Sequence, residues 1–342
     1  MSSSAPTTSA PTTTGSGPSA LSRWFGFRTP SLRFLYAWAI ADLAANVLLV
    51  VTGGAVRVTD SGLGCPTWPE CTSGSVTPHP AMGIHGVIEF GNRMLTWVLV
   101  VVAVATWVAA MRYRPHDRTS RWLATGIALG VPAQAIIGGI TVLTQLNPWV
   151  VALHFLATML IISLATWLVY RTVPGAAPHA RDDSPMGRLA VALAWLVYAV
   201  TWVTVYLGTV VTGSGPHAGD EDAHRNGLDP RMATQLHVDA VWALVGAAVA
   251  LILLAVIARL SWRRTALVFG AIIVLQGVIG YVQYALELPE TLVVLHMLGS
   301  ALLMVGATAL VLHAARFGRT AAAAEPGDRN TGAALPATAG AS

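Results

Sequence analysis

The 342-residue sequence contains no lysine; all 20 basic residues are arginine. Charge of either sign is scarce, at 11% of residues, where a soluble domain carries about 25%. That scarcity excludes an ordinary water-soluble globule. The small net charge of +4 gives no reason to expect a nucleic-acid partner, so the arginines have to be placed relative to a membrane instead. Only two cysteines occur, Cys65 and Cys71, and two cysteines alone would leave the four-ligand set of a structural zinc site incomplete. The first 20 residues, MSSSAPTTSAPTTTGSGPSA, lack an apolar run. They read as a disordered tail and not as a signal peptide. The stretch after Gly318 reads the same way.

What the sequence does contain is hydrophobic residues, 54% of the chain. Runs of about 20 apolar residues, long enough to cross a bilayer as helices, recur along its length. Eight spans are predicted, near residues 34–56, 82–110, 122–143, 149–171, 188–211, 232–259, 265–285 and 290–315. The fold class expected is an all-α integral membrane protein of eight transmembrane helices. Sixteen arginines fall before the first span, after the last, or in the loops after even-numbered spans. Arg57, Arg225 and Arg231 fall on the opposite side. The positive-inside rule then puts both termini in the cytoplasm of a multi-pass protein of the cell membrane.

The chain repeats itself. Gln134 opens QAIIGGI with His154 twenty residues on, and Gln276 opens QGVIGYV with His296 twenty residues on. VTDSG at 58–62 likewise matches VTGSG at 211–215. Four spans separate the copies, so both halves share one orientation, as a parallel repeat about an axis along the membrane normal. The expected division is a cytoplasmic tail over 1–33, a four-helix half over 34–171, a linker over 172–187, a second four-helix half over 188–315 and a tail over 316–342.

Four of the ten histidines fall within spans: His85, His154, His237 and His296. Each follows a proline (Pro80, Pro148, Pro230, Pro289) by five to seven residues. Proline favours the first helical turn, so counting the rise from these prolines puts all four imidazoles at nearly one depth. Ionisable groups inside a membrane usually mark function. Two imidazoles per half suit two iron sites of the haem type, although hydrogen bonding between helices would also account for such residues. His116, His179 and His313 fall at the cytoplasmic side and read as solvated or interfacial. His79, His217 and His224 fall in outer loops. Cys65 and Cys71 share the first outer loop, where disulfides persist, and a disulfide is expected there; a transient thiol role is the alternative.

The second span carries a polar stripe, since His85, Glu89, Asn92, Arg93 and Thr96 fall within an arc of roughly 100° on a helix. Glu89 could accept a proton near an iron site, or Glu89 and Arg93, four apart, could neutralise each other. The second repeat has Val241 four residues after His237, so a carboxylate marks the first half alone.

These stretches, above all TGGAVRVTDSGLGCPTWPEC and TGSGPHAGD, resemble the haem A synthase family over most of residues 34–315. The resemblance implies an enzyme that oxidises a ring methyl of haem O to the formyl group of haem A, for terminal oxidase assembly. It implies haem B on His237 and His296, substrate haem facing His154, Glu89 as the catalytic carboxylate, and Cys65 and Cys71 as the family's cysteine pair. The sequence departs from the family at one place: where many members read Glu-x-x-His-Arg, this chain reads Glu89-x-x-Asn92-Arg93. Either His85 replaces the missing ligand, which the proline register favours, or the substrate iron has His154 alone. Arg57, Arg93 and Arg225 are candidate propionate contacts. Expected partners are haem O, the synthase that makes it, membrane lipid, an electron-transfer partner and a second copy of the chain. The rival functions are a dihaem electron-transfer cytochrome without substrate and a transporter built on a parallel repeat.

Overall fold

A computed structural model describes residues 29–114, 116–175 and 184–315. The two expected tails fall largely outside these residues, as does half of the expected linker, with His179 and Arg181. Eight long helices account for almost all of the described chain: α1 (Leu32–Val58), α2 (Gly83–Arg112), α3 (Arg118–Leu143), α4 (Pro148–Thr172), α5 (Pro185–Ser214), α6 (Pro230–Ile257), α7 (Arg263–Ala285) and α8 (Glu290–Ala314). Each is long and apolar enough to cross a membrane, and no strand occurs among the described residues. The protein is an all-α, eight-span membrane protein.

Local sequence sets where the helices begin. Ser31, Asp117, Asn147, Ser184 and Asp229 each accept a backbone N–H of the first turn that follows, which satisfies donors the helix itself cannot. Pro148, Pro185 and Pro230 occupy the first helical position, where the missing N–H costs nothing. Pro80 behaves differently. It opens a short 3-10 turn, Pro80–Met82, capped by His79, and the chain then breaks at Gly83 with φ of +58° before α2 starts. Pro289 lies just before α8 as its N-cap.

The helices pack as two four-membered rings. In the first, α1 meets α2, α2 meets α3, α3 meets α4, and α4 returns to α1; α5 to α8 do the same in the second. Between the rings the contacts are α1 with α8, α4 with α5, and α4 with α8. Exchanging α1–α4 for α5–α8 maps this contact set onto itself, as a parallel repeat requires. Lipid tails are as apolar as leucine, so helix association in a membrane relies on close packing. Small residues accordingly fill the ring centres: Ala39, Ala109, Ala110, Ala124 and Ala165 in the first, and Ala190, Ala194, Ala248, Ala266 and Ala307 in the second. Val50, Met159, Ile162, Val205, Ala301 and Met304 close the seam between the rings. Large apolar side chains such as Trp122, Leu129 and Ile257 are exposed away from the cavity, as a hydrocarbon surround demands.

Candidate functional site

A cavity of about 2320 Å³, lined by both rings, exceeds the roughly 300–1,000 Å³ of an ordinary small-molecule site. His154, His237 and His296 line it. Each ring lies over a glycine of the helix before it: a Cβ would stand 3.2 Å from His154 Cε1 at Gly138, 3.3 Å from His237 Cε1 at Gly208 and 3.3 Å from His296 Cε1 at Gly280. The pairs Gly138–His154 and Gly280–His296 have identical spacing, as do Gln134 and Gln276, so α3–α4 and α7–α8 repeat in their chemistry. The glycine four residues after each glutamine was visible in the sequence, as QAIIG and QGVIG, but carried no sign that a ring would rest on it.

The histidines differ in their hydrogen bonding. His237 Nδ1 lies 3.0 Å from the Thr204 carbonyl. A carbonyl only accepts, so Nδ1 carries the hydrogen and Nε2 keeps its lone pair, the form in which imidazole binds a metal. The Nδ1 atoms of His154 and His296 are buried without a hydrogen-bond partner, and packing on glycine holds those rings. Gln134 Nε2 donates to the His154 carbonyl at 3.1 Å and to Thr158 Oγ1 at 2.5 Å, which fixes the α4 backbone at this level.

His85 does not join them. It is exposed, its Nδ1 lies 3.0 Å from Ser61 Oγ, and it is not among the cavity-lining residues. Counting α-helical rise from Pro80 misplaces it, because the first three residues form a 3-10 turn and α2 begins only at Gly83. His85 is therefore the third residue of its helix, while His154, His237 and His296 are the seventh, eighth and seventh of theirs. Asn92 lines the cavity, and its Oδ1 accepts from Thr52 Oγ1 at 2.8 Å. The loop repeat (58 to 211) puts Thr204 opposite position 51, next to Thr52. The contact of Asn92 with α1 therefore resembles the contact of His237 with α5.

Glu89 lines the cavity and is 5% exposed. Its Oε2 accepts from the Cys65 N–H at 2.5 Å, and its Oε1 accepts from Arg93 Nε at 3.1 Å and Nη2 at 2.5 Å. Arg93 also donates from Nη1 to the Thr67 and Glu70 carbonyls and from Nη2 to the Cys65 carbonyl. A guanidinium has five N–H donors, and all five are engaged, so Arg93 has none left for a propionate. The pair instead clasps the outer loop that the Cys65–Cys71 disulfide closes. From that loop Trp68 packs onto α3 so closely that a Cβ at Gly139 would stand 2.4 Å from its ring.

Arg57 lines the cavity and donates to the His217 and Thr212 carbonyls at 2.7 and 3.2 Å. Arg225 donates to the Ala223 and Pro216 carbonyls and is not a lining residue. Among the described residues the ion pairs are Glu89–Arg93 and Asp117–Arg171, so neither Arg57 nor Arg225 faces a carboxylate. His217 Nε2 meets the Leu288 carbonyl at 2.9 Å, which ties the third outer loop to the α7–α8 turn.

The family model of the cytochrome oxidase assembly protein (COX15-CtaA) matches residues 36–219. Among curated proteins, one named heme A synthase from Symbiobacterium thermophilum is 32% identical over 191 residues, 54% of this chain and 61% of that protein. A heme A synthase of Lysinibacillus sphaericus is 31% identical over 189 residues, 52% of this chain and 58% of that protein. The chain thus matches about three-fifths of the length of these relatives. With more than half of its residues under the family model, the chain belongs to the cytochrome oxidase assembly protein (COX15-CtaA) family.

Proposed function

We propose that the protein is a haem A synthase, a membrane oxidoreductase that converts a ring methyl of haem O to the formyl group of haem A. The observation that carries this reading is the set of three cavity histidines, each resting on a glycine of the preceding helix, with one carboxylate in the first ring alone. The names of the curated relatives support the same activity. The arginine distribution supports a cell-membrane protein with both termini in the cytoplasm.

The second ring fits a resident haem B, which His237 and His296 would hold; the Nδ1 donor bond of His237 leaves its Nε2 free to coordinate. When bound there, haem B would relay electrons. The first ring would take substrate haem O with His154 on its iron and Asn92 across the cavity. Position 92 cannot supply a strong iron ligand, which suits a haem that must enter and leave. Arg57, with no carboxylate partner, is the guanidinium of this cavity best placed to pair with a propionate. Both oxygens of Glu89 already accept from N–H donors. That arrangement favours Glu89 as a fixed negative charge, stabilising positive charge that develops as the methyl is oxidised, over Glu89 as a proton acceptor.

The test is haem extraction from purified protein, followed by turnover of supplied haem O. The expected result is resident haem B and newly formed haem A. His237→Ala should remove the haem B spectrum, and His154→Ala should retain it while losing product. His85→Ala should retain both. Two permanently bound haems with no haem A formed would instead establish the electron-transfer cytochrome.

A further inference from the structure

The bottom of the cavity differs between the rings, and the difference centres on Asp42. On α1 the lining begins at Asn46, and Asp42 lies one turn nearer the helix start on the same buried stripe. Asp42 is 0% exposed and Asn46 2%. Asn46 Nδ2 donates to the Asp42 carbonyl at 2.9 Å and approaches Asp42 Oδ2 at 3.4 Å. Asp42 Oδ1 has no hydrogen-bond partner. The helices packed against α1 carry Glu89 and Arg93 (α2), His154 (α4) and His296 (α8) toward the outer loops, and Arg112, Arg171 and His313 at their other ends. Neither ion pair of the described residues includes Asp42. An unpaired charge buried at this depth is strongly disfavoured, whereas a neutral acid is not.

Asn46 joins that acid to the cavity, and two open polar atoms of α3 line the same space. Pro132 stands inside α3 and has no N–H, which leaves the carbonyl of the cavity residue Ala128 without its helical donor. Gln134 Oε1, from another lining residue, is also buried without a partner. Open polar atoms in a membrane interior are tolerated where they line a hydrated space. In the opposite direction the core is apolar, built from Leu35, Ala39, Ala109, Ile127 and Leu168, and Thr106 there is committed to the Trp38 and Val102 carbonyls. The second ring also has an open amide oxygen, Gln283 Oε1, but neither the acid nor the proline. The loop repeat puts Trp195 and Ala199 at the places of Asp42 and Asn46, and the glutamine repeat puts Val274 at the place of Pro132.

We propose that Asp42 is a proton-storing site of the first ring's cavity, exchanging its proton with that cavity through Asn46. The transfer moves a proton alone. The Asp42 O–H bond opens, the proton passes to water in the cavity, and the Asn46 amide holds the remaining carboxylate until a proton returns by the same path. The proposal rests on the haem A synthase reading only for what the proton serves.

Infrared spectroscopy of the full-length purified protein tests it. The expected spectrum has a neutral-acid carbonyl band that is absent in Asp42→Asn, moves in Asp42→Glu, and shifts promptly on transfer to deuterium oxide. Asn46→Leu, which keeps Asp42, should slow that shift about tenfold or more, a change of about 1.4 kcal/mol in barrier. An absent band in the wild type, a band that does not exchange, or exchange unaffected by Asn46→Leu would each overturn the proposal. The measurement needs no turnover. Prompt exchange in a chain that forms no haem A would remove the synthase reading and keep the proton site, whereas haem A formation with a sealed band would do the reverse.

Discussion

Arg93 shows how a single residue can look functional in sequence and turn out to serve another. A guanidinium in a membrane span calls for an anion, and a haem propionate is an attractive one, yet all five donors go to Glu89 and to loop carbonyls. Breaking a buried ion pair from one side costs about 3–5 kcal/mol; with Arg93 one-fifth exposed, the lower end applies. Arg93→Ala should therefore destabilise the protein by about 3 kcal/mol, read by thermal unfolding in detergent, and should loosen the Cys65–Cys71 loop to proteolysis. The double change Glu89→Gln with Arg93→Ala should recover part of that stability and none of the activity. A full recovery of turnover would place Glu89 outside the chemistry. The spacing of four already allowed mutual neutralisation. What the sequence could not show was that the cysteine loop folds back to accept the remaining donors.

At the scale of the element, the helix count and the repeat were legible because bilayer thickness fixes span length and because QAIIG and QGVIG recur at one offset. Register was less legible. A proline marks a helix start only when the residues after it are α-helical, and the 3-10 turn at Pro80–Met82 breaks that rule for α2. Gly138, Gly208 and Gly280 were equally silent, since a glycine in an apolar helix signals packing of some kind without naming its neighbour. Here the neighbours are imidazole rings at 3.2–3.3 Å from a prospective Cβ, so a larger side chain must push the ring aside. Gly280→Leu should displace His296 and lower haem B content several-fold in the extracted protein. Gly246→Leu on α6, where a Cβ meets nothing within 4 Å, should leave it unchanged. Equal loss in both would mean that helix packing, not ring placement, sets haem retention.

The whole molecule is a duplicated scaffold whose copies have diverged in polarity. The rings share contacts and one histidine position with its glycine seat, while Glu89, Asn92, Asp42 and Pro132 belong to the first ring only. Duplication of this parallel kind also fixes orientation, because every connection between an even helix and the next odd one must lie on a single side. That side holds Arg112, Arg114, Arg118, Arg121, Arg171, Arg188, Arg259, Arg263 and Arg264, while the far side holds Arg57, Arg225 and Arg231. The positive-inside rule counts arginines in short loops near span ends, and these loops are short. With both native cysteines joined in a disulfide, a single introduced thiol reports its own side. Ser184→Cys, at the start of α5, should react with a membrane-impermeant maleimide only after cells are opened. Glu221→Cys, in the loop before α6, should react in intact cells. The reverse pattern would invert the protein, placing the disulfide loop and the cavity roof of Arg57 and His217 in the cytoplasm, where a structural disulfide would not persist. The arginine count and the redox preference of Cys65–Cys71 thus predict the same orientation from independent physics, and one labelling experiment tests both.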